Sequence, residues 1–393
     1  MTRSVRRFRA VVVLPAAFLV TLFGELLASC SSGPTPNARR MRPGPAATFD
    51  SSSIRHTVLL IGDAGAVRRD DAVLIALRRM ADEAPPTTLV VFLGDNLYEA
   101  GLPSGDGPDI EQRRDVLRAQ LWAAGSARAL FVAGNHDWNE YRNVRNAWSE
   151  GREAVVRQAA FIARQSAGRA LFLPAAGCAG PAEFPFGTAR DALRVIAIDS
   201  QWWLTALELP PPSADGAVRD SGCTANTTAE ASRELERMIA AAPERPTIVV
   251  AHHPLASNGN HGHPILGWPF NAQDIPNRRN ARFRTALASA LDSNRVVLYA
   301  SGHDHDLELF SGPGARFTLV SGAGSEAKVG RFKGRRGSPL ARETGPGFAR
   351  IDVLHGGRIA LRLVSIRDGR AQMRACVWIA PEELGGQSCD LRP

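Results

Sequence analysis

The sequence lacks an internal repeat, a clustered run of basic residues that would form one charged face, and the composition of a disordered chain. Of its 393 residues 44% are hydrophobic and 22% are charged, so the chain can bury a large core in one or two domains. The formal net charge is +8, and four arginines against Glu25 contribute +3 of this within the first 29 residues. The remaining mild excess favours anionic substrates or an anionic membrane surface and does not indicate nucleic-acid binding.

The amino terminus also lacks a continuous apolar run of the length that crosses a bilayer. The apolar stretch at residues 10–23 is interrupted by Pro15 and soon followed by Glu25, whereas a spanning helix needs about 20 consecutive apolar residues. An arginine-rich start, this short stretch and small residues before Cys30 resemble the signal peptide of bacterial lipoproteins. We therefore predict a signal peptide at residues 1–30, lipidation of Cys30 and export to the bacterial cell envelope; a transmembrane anchor is the alternative.

Residues 31–53 are rich in Ser, Pro, Gly and Arg, which predicts a flexible linker between the anchor and a folded domain at residues 54–393. Four cysteines remain after Cys30: Cys178, Cys223, Cys376 and Cys389. An even number in an exported protein favours two disulfides, for which three pairings exist. We predict pairing between sequence neighbours, Cys178 with Cys223 and Cys376 with Cys389, and free buried thiols are the alternative.

Strand-like and helix-like segments alternate through the first two-thirds of the domain. Apolar residues at helical spacing predict helices over residues 70–84, 110–123, 145–165, 227–241 and 281–291. Short runs rich in β-branched residues lie between these helices, and strands dominate after residue 317. The pattern predicts an α/β fold, a four-layer α/β/β/α sandwich of two mixed sheets flanked by helices.

Five predicted strands each end in a residue that can bind a metal ion. These residues are Asp63, Asp95 with Tyr98, Asn135 with His136, His253, and His303 with His305. Seven of the nine histidines lie in or just beyond these strand ends, whereas structural histidines would be scattered over the chain. Hard oxygen donors mixed with imidazoles suit iron, manganese or zinc better than calcium or magnesium.

The same strand ends carry five short motifs in a fixed order. They read D-A-G at residues 63–65, G-D-N-L-Y at 94–98, G-N-H-D at 134–137, V-A-H-H at 250–253 and G-H-D-H at 302–305. This order resembles that of the calcineurin-like metallophosphoesterases and, within them, the purple (tartrate-resistant) acid phosphatases. The resemblance covers residues 57–366 and implies the metallophosphoesterase fold.

One position separates the subfamilies. Most metallophosphoesterases have D-x-H at the first motif, but this chain has Gly65 where that histidine would stand. The purple acid phosphatases use a tyrosine three residues after the second aspartate, which is the position of Tyr98 here. Phenolate is a hard anionic donor, so the resemblance implies ferric iron at this site.

The resemblance further implies a dinuclear centre of Fe³⁺ and a divalent metal (Fe, Zn or Mn). Its ligands would be Asp63, Asp95, Tyr98 and His305 for the iron, and Asp95, Asn135, His253 and His303 for the divalent ion. His136 would donate to the phosphoryl oxygens and His261 would help to protonate the leaving group. Side chains alternate along a strand, so we expect His252 to point away from the site as a structural residue. His263 is left without a role.

These assignments predict an acid phosphatase that hydrolyses small phosphomonoesters through hydroxide bound at the dinuclear centre. The expected partners are the phosphate-ester substrate and, through the lipid anchor, a membrane. Two alternatives remain open. The first is a phosphodiesterase or nucleotidase of the same fold. The second is a non-catalytic phosphate-binding or metal-binding lipoprotein.

Overall fold

The computed structural model describes residues 42–139, 147–187, 193–208, 222–262, 271–292, 295–325 and 338–392. The predicted signal peptide, Cys30 and His263 lie outside these ranges. Within them, no helix has both the length and the apolar character needed to cross a bilayer.

The larger sheet has nine strands in the order β1-β16-β15-β14-β13-β2-β3-β4-β5. β2, β3, β4 and β5 are parallel to one another, and β1 is parallel to β16. The pairs β2–β13, β13–β14, β14–β15 and β15–β16 are antiparallel. The strand bounds are β1 Arg42–Asp50, β2 Ile54–Ile61, β3 Thr88–Phe92, β4 Arg128–Phe131, β5 Ala170–Phe172, β13 Gly347–Leu354, β14 Ile359–Arg367, β15 Arg370–Ala380 and β16 Gln387–Arg392.

The smaller sheet has seven strands in the order β12-β10-β11-β9-β8-β7-β6. Its centre, β7, β8, β9 and β11, is parallel, and β6, β10 and β12 pair antiparallel at the two sides. The bounds are β6 Ala182–Phe184, β7 Arg194–Ala197, β8 Thr247–Val250, β9 Val296–Ser301, β10 Leu307–Ser311, β11 Phe317–Ser321 and β12 Ala341–Glu343.

Alternating side chains on the strands build two separate parts of the core. Val58 and Leu60 of β2 belong to a cluster that also contains Ile248 and Val250 of β8, so this cluster fills the space between the sheets. Residues of the opposite parity, such as Leu59, belong to a second cluster together with apolar residues of the helices. Both faces of each central strand are therefore buried, as the continuous apolar runs predict. The structure confirms the predicted four-layer α/β fold.

In the described part of the chain, six α-helices cover the sheets. They are α1 Ala72–Ala81, α2 Pro108–Ala124, α3 Arg152–Ser166, α4 Ser200–Glu208, α5 Thr228–Ala240 and α6 Arg278–Leu291. Five of them overlap the predicted helices. The sequence analysis missed α4, which begins directly after β7, where Asp199 accepts a hydrogen bond from the backbone N of Trp202 (2.9 Å). A side-chain oxygen that binds a free backbone N–H starts a helix at such a position.

The carboxyl-terminal part of the predicted linker is a strand. Residues 42–50 form β1, which pairs in parallel with β16, and Phe49 is buried with its ring 5.3 Å from that of Trp378. Two prolines and a glycine in this segment hide any strand pattern in the sequence. Pairing with β16 and burial of one aromatic ring are what define the strand. The folded domain therefore begins about a dozen residues earlier than residue 54.

Both predicted disulfides are present, Cys178 with Cys223 and Cys376 with Cys389. The second links β15 to β16, next to β1 at the edge of the larger sheet. The prediction from sequence neighbours is confirmed.

Candidate metal centre

The two sheets bring their parallel strand ends together. Asp63, Asp95 and Asn135 follow β2, β3 and β4 of the larger sheet, and His252 and His303 follow β8 and β9 of the smaller sheet. All five are buried, with at most 7% of each residue exposed. Donors that are separated by up to 240 positions in the sequence therefore meet at one place, as shown by the hydrogen bond from the backbone N of His303 to Asp63 Oδ2 (2.7 Å).

The side chains of Asp63 and His305 meet at the hydroxyl of Tyr98. The hydroxyl donates to Asp63 Oδ1 (2.9 Å) and lies 3.2 Å from His305 Nε2. His305 Nε2 is in turn 3.4 Å from Asp63 Oδ1. Burial, followed by the charges of Asp63 and Asp95, raises the pKa of Tyr98 well above its ordinary value. The protein alone therefore keeps Tyr98 as a phenol, and a phenolate at this position requires a strongly polarising cation.

Gly65 and Tyr98 occupy the same corner of the site. The backbone N of Tyr98 donates to the Gly65 carbonyl (3.1 Å). A Cβ atom on residue 65 would lie 2.7 Å from the backbone oxygen of Asp95 and from the backbone of Leu97. No side chain fits there without movement of the loop that carries Tyr98. The glycine and the tyrosine are thus two parts of one local arrangement.

His252 is the centre of a second group of donors. Its Nε2 atom lies 3.0 Å from Asn135 Oδ1, 3.4 Å from Asp95 Oδ1 and 3.3 Å from His303 Nδ1. Its Nδ1 atom lies 2.8 Å from the Leu93 carbonyl oxygen. A carbonyl oxygen can only accept, so Nδ1 carries a proton, and Nε2 is the ring nitrogen that faces the other donors. Metal-binding histidines are commonly oriented by such a hydrogen bond.

This placement of His252 differs from the expectation that it points away from the site. β8 ends at Val250, so the alternation of a strand does not extend to the two histidines that follow. His253 instead has its Nδ1 atom 2.8 Å from the Ser200 hydroxyl oxygen, and its Nε2 atom contacts Gln273 Oε1. His253 remains near the site, with its ring 4.5 Å from that of His303, but His252 is the histidine beside Asp95 and Asn135.

The arrangement fits metal ions. Ligand atoms of Asp63, Asp95 and His252 lie within 4.8 Å of one another, as do those of His252, His253 and His303. Within the described residues, the buried Nε2 atom of His303 has no hydrogen-bond partner. Burial lowers the pKa of His303 well below its ordinary value, so its ring is neutral and can bind a cation. The donors comprise carboxylate, amide and imidazole groups, and this set suits zinc, manganese or iron.

Asp137, to which the sequence analysis gave no role, holds the loops that carry the donors. Its carboxylate accepts hydrogen bonds from the backbone N atoms of Asn96 (3.1 Å), Leu97 (3.2 Å) and Gly134 (2.8 Å). Burial and the nearby charge of Asp95 raise its pKa to about 7. Asp137 thereby fixes the ends of β3 and β4 relative to each other. Its position in G-N-H-D is the one sequence signal that could have indicated this.

His136 and His261 lie at the rim of the donor groups. The backbone N of His136 donates to Asp95 Oδ1 (3.0 Å), and its ring Nδ1 donates to the Glu99 carbonyl (2.8 Å). His261 stacks on the ring of His303 with centroids 4.0 Å apart. Burial acts to lower the pKa of His261, but the hydrogen bond to Asp274 (2.8 Å) and the charge of Asp304 outweigh it, and the net shift is upward.

Comparison with known proteins shows the family of the chain. The family model of the calcineurin-like phosphoesterases matches residues 56–307, which is more than half of the chain. Purple acid phosphatase 4 of Arabidopsis thaliana is 25% identical over 281 residues, covering 70% of this chain and 69% of its own. Purple acid phosphatase 17 of the same plant is 26% identical over 276 residues, covering 68% of each chain.

Solved structures share the fold at lower identity. GAP50, described as the anchor in the inner membrane complex of Plasmodium, superposes with a TM-score of 0.57 and 16% identity over 86% of this chain and 97% of its own. The purple acid phosphatase PPD1 of yellow lupin (Lupinus luteus) gives a TM-score of 0.53 and 14% identity, covering 85% of this chain and 54% of its own. At this identity the likeness concerns the architecture alone.

Proposed function

Because the chain belongs to the calcineurin-like phosphoesterase family, we propose that it is a phosphoric monoester hydrolase of the acid phosphatase type with a dinuclear metal centre. The convergence of seven donor side chains from two sheets supports the proposal, in particular the Tyr98 hydroxyl 2.9 Å from Asp63 Oδ1. The similarity to two purple acid phosphatases supports the monoester reaction.

The residues divide into two sets of ligands that share Asp95. Fe³⁺ would be held by Asp63, Asp95, Tyr98 and His305, and the divalent ion by Asp95, Asn135, His303 and His252. His252 takes the place that the sequence analysis gave to His253, because its Nε2 atom is the one beside Asn135 and Asp95. Ions at these positions would lower the pKa of a water molecule and neutralise charge on the phosphoryl oxygens.

Two protein side chains would act directly on the substrate. His136 has its Nδ1 proton on the Glu99 carbonyl, so it would donate to a phosphoryl oxygen through Nε2–H of the imidazolium form. His261 has its Nδ1 atom on Asp274, and this carboxylate favours the protonated ring. A protonated His261 would give its Nε2 proton to the leaving alkoxide. His253 would hold its place through Ser200 and Gln273 and would shape the wall beside His303.

A substrate panel tests the proposal. Purified protein loaded with iron and with zinc, manganese or iron as the second metal should release phosphate from aryl monoesters with a kcat/KM at least tenfold above that for aryl diesters. Preference for the diester would favour the phosphodiesterase or nucleotidase alternative. Release of no phosphate from either ester, with two metal ions bound, would favour a non-catalytic binding protein.

We further propose an exported protein held by a lipid at Cys30. Two disulfides support an oxidising compartment. The lipid, the membrane and the signal peptide at residues 1–30 rest on the sequence pattern.

A further inference from the structure

A groove on the surface passes beside Tyr98, which is the one proposed metal ligand among its lining residues. It has a volume of about 750 Å³ and lies between the loop that follows β2 and one face of α2. Tyr98 and Gly65 are among its lining residues, and its walls carry charges of both signs: Arg68, Arg69, Arg113 and Arg118 with Asp70, Glu99, Asp109 and Asp115. Tyr98 contacts Asp63 and His305 through its hydroxyl, so the groove adjoins the proposed iron site.

A smaller cavity of about 300 Å³ continues from the groove and shares Arg69 and Arg118 with it. Four arginines line this cavity, Arg69, Arg78, Arg118 and Arg169, together with Trp122, and its lining residues include no Asp or Glu. We call it the arginine cavity. The rise of α2 from Arg113, in the groove, to Trp122 places the cavity about 14 Å further along the helix axis.

Two of the four arginines have no carboxylate partner within the described residues. Arg78 pairs with Asp82, and Arg118 pairs with Glu111 and Asp115. Arg169 donates to the Gly125 carbonyl (2.6 Å), and Arg69 has no hydrogen bond or ion pair in the described part of the chain. Both side chains are exposed. Arg69 and Arg169 thus add positive charge beside one cavity without a carboxylate to balance it, and the fork geometry of a guanidinium group matches phosphate.

We propose that the arginine cavity is a second anion site, which binds a phosphoryl group distant from the one at the metal centre. This inference rests on the proposed function, because the groove connects the cavity to the reacting phosphate. It gives the enzyme a preference for extended substrates with a second phosphate. The same chemistry would also accept inorganic phosphate, the product of the reaction.

The dependence of KM on spacer length tests whether the arginine cavity binds a second phosphate of the substrate. With metal-loaded protein, α,ω-alkanediol bisphosphates of increasing length are compared with alkyl monophosphates of the same length. Once the spacer reaches the arginine cavity, we expect a KM about tenfold lower for the bisphosphate, since a charge-assisted hydrogen bond contributes about a factor of ten or more. The double variant Arg69→Gln/Arg169→Gln should bring the ratio of the two KM values close to one.

A matched variant controls for net charge. Arg79→Gln/Arg233→Gln removes the same charge from two exposed arginines that do not line either cavity, and it should keep the preference for the bisphosphate. An equal loss of preference in this control would mean that the overall positive charge of the protein, and not the arginine cavity, causes the preference for the bisphosphate. This result would overturn the proposal.

Inhibition by inorganic phosphate tests whether free phosphate binds in the arginine cavity. Noncompetitive inhibition that disappears in Arg69→Gln/Arg169→Gln would assign the cavity to free phosphate. If inhibition is purely competitive in both proteins and no spacer length lowers KM, the anion site does not exist.

Binding can be measured apart from catalysis. The bisphosphate should raise the thermal unfolding temperature of metal-loaded wild type more than that of Arg69→Gln/Arg169→Gln. A protein that hydrolyses no monoester but shows this difference would contradict the proposed function and support the anion site.

Discussion

At the scale of single residues, Tyr98 carries the most specific chemical claim. Its hydroxyl lies between Asp63 and His305, and burial with two nearby carboxylates opposes its ionisation in the protein alone. Ferric iron can supply the missing positive charge, because a phenolate is a hard anionic ligand. Zinc in both sites would give a colourless protein.

We predict that iron-loaded protein has a visible phenolate-to-iron charge-transfer band and that Tyr98→Phe removes it. The phenylalanine ring keeps the shape of the wall but provides no oxygen ligand. Absorption spectra of wild type and variant at equal iron content measure the effect. A band that persists in Tyr98→Phe would exclude Tyr98 as its source.

The pair His252 and His253 gives a second prediction, because the two histidines are neighbours in sequence but have different contacts. His252→Ala should lose about one metal ion per chain and lower kcat/KM at least a hundredfold, since it removes the Nε2 atom beside Asn135 and Asp95. His253→Ala should retain more metal than His252→Ala, because the side chain of His253 contacts Ser200 and Gln273, which are not proposed ligands. Elemental analysis of the two purified variants decides between them, and the reverse order of metal loss would restore the original assignment.

At the scale of the elements, α4 depends on a buried carboxylate at its start. Asp199 accepts hydrogen bonds from Trp138 Nε1 (2.8 Å) and from the backbone N of Trp202 (2.9 Å). Burial raises its pKa from 3.8 to about 7 despite these bonds. A carboxyl group with a raised pKa in the folded state binds its proton more tightly there than in the unfolded chain. Its contribution to stability is therefore present at low pH and is lost as pH rises from about 4 to about 7.

We predict that Asp199→Asn changes the pH dependence of unfolding. An amide cannot ionise, so the variant should gain stability relative to wild type between pH 5 and pH 8, by at most about 3 kcal/mol, since about two pH units of the shift lie in this range. Urea unfolding of both proteins at the two pH values measures the difference. The same difference at both pH values would show that Asp199 does not titrate on unfolding in this range.

β1 makes a further prediction, since the sequence analysis assigned its residues to a linker. Phe49 is 3% exposed and packs against Trp378, so Phe49→Ala should lower the free energy of unfolding by about 3 kcal/mol. Val156, which is 42% exposed, provides the control, and Val156→Ala should change it by less than about 0.5 kcal/mol. No effect at Phe49 would mean that β1 is not part of the folded domain.

At the scale of the whole molecule, the predicted lipid anchor should determine where the protein is located and should not affect its activity. We predict that Cys30→Ser moves the protein from the membrane fraction to the soluble fraction of bacteria that express it, because no lipid can be attached. The hydrolysis of an aryl monoester should stay unchanged, since the folded domain begins beyond residue 40. Cell fractionation with mass spectrometry of the amino-terminal peptide measures this. An unmodified Cys30 in membrane-bound wild type would contradict it.

Much of the fold and part of the site could be predicted from the sequence. Apolar runs such as residues 57–61 are buried on both faces, so they reveal strands and their ends. The chemistry at those ends, from Asp63 to His305, follows because parallel strands expose their carboxyl ends at one edge. Alternation failed for His252, where a bend replaces the strand after Val250. Long-range contacts define β1 and the role of Asp137, and local patterns do not contain them.

The donors of the centre come from both sheets, and neither sheet has a complete set for either ion. Asp63 and His303 are 240 residues apart and meet only when the two halves of the sandwich have docked. A metal ion at the proposed centre would therefore bind after the sheets have docked and would crosslink the two layers. Chelation should loosen the packing between the sheets. An exported chain that folds in this order would acquire its metals from the envelope, and its supply of active enzyme would depend on the metals available there.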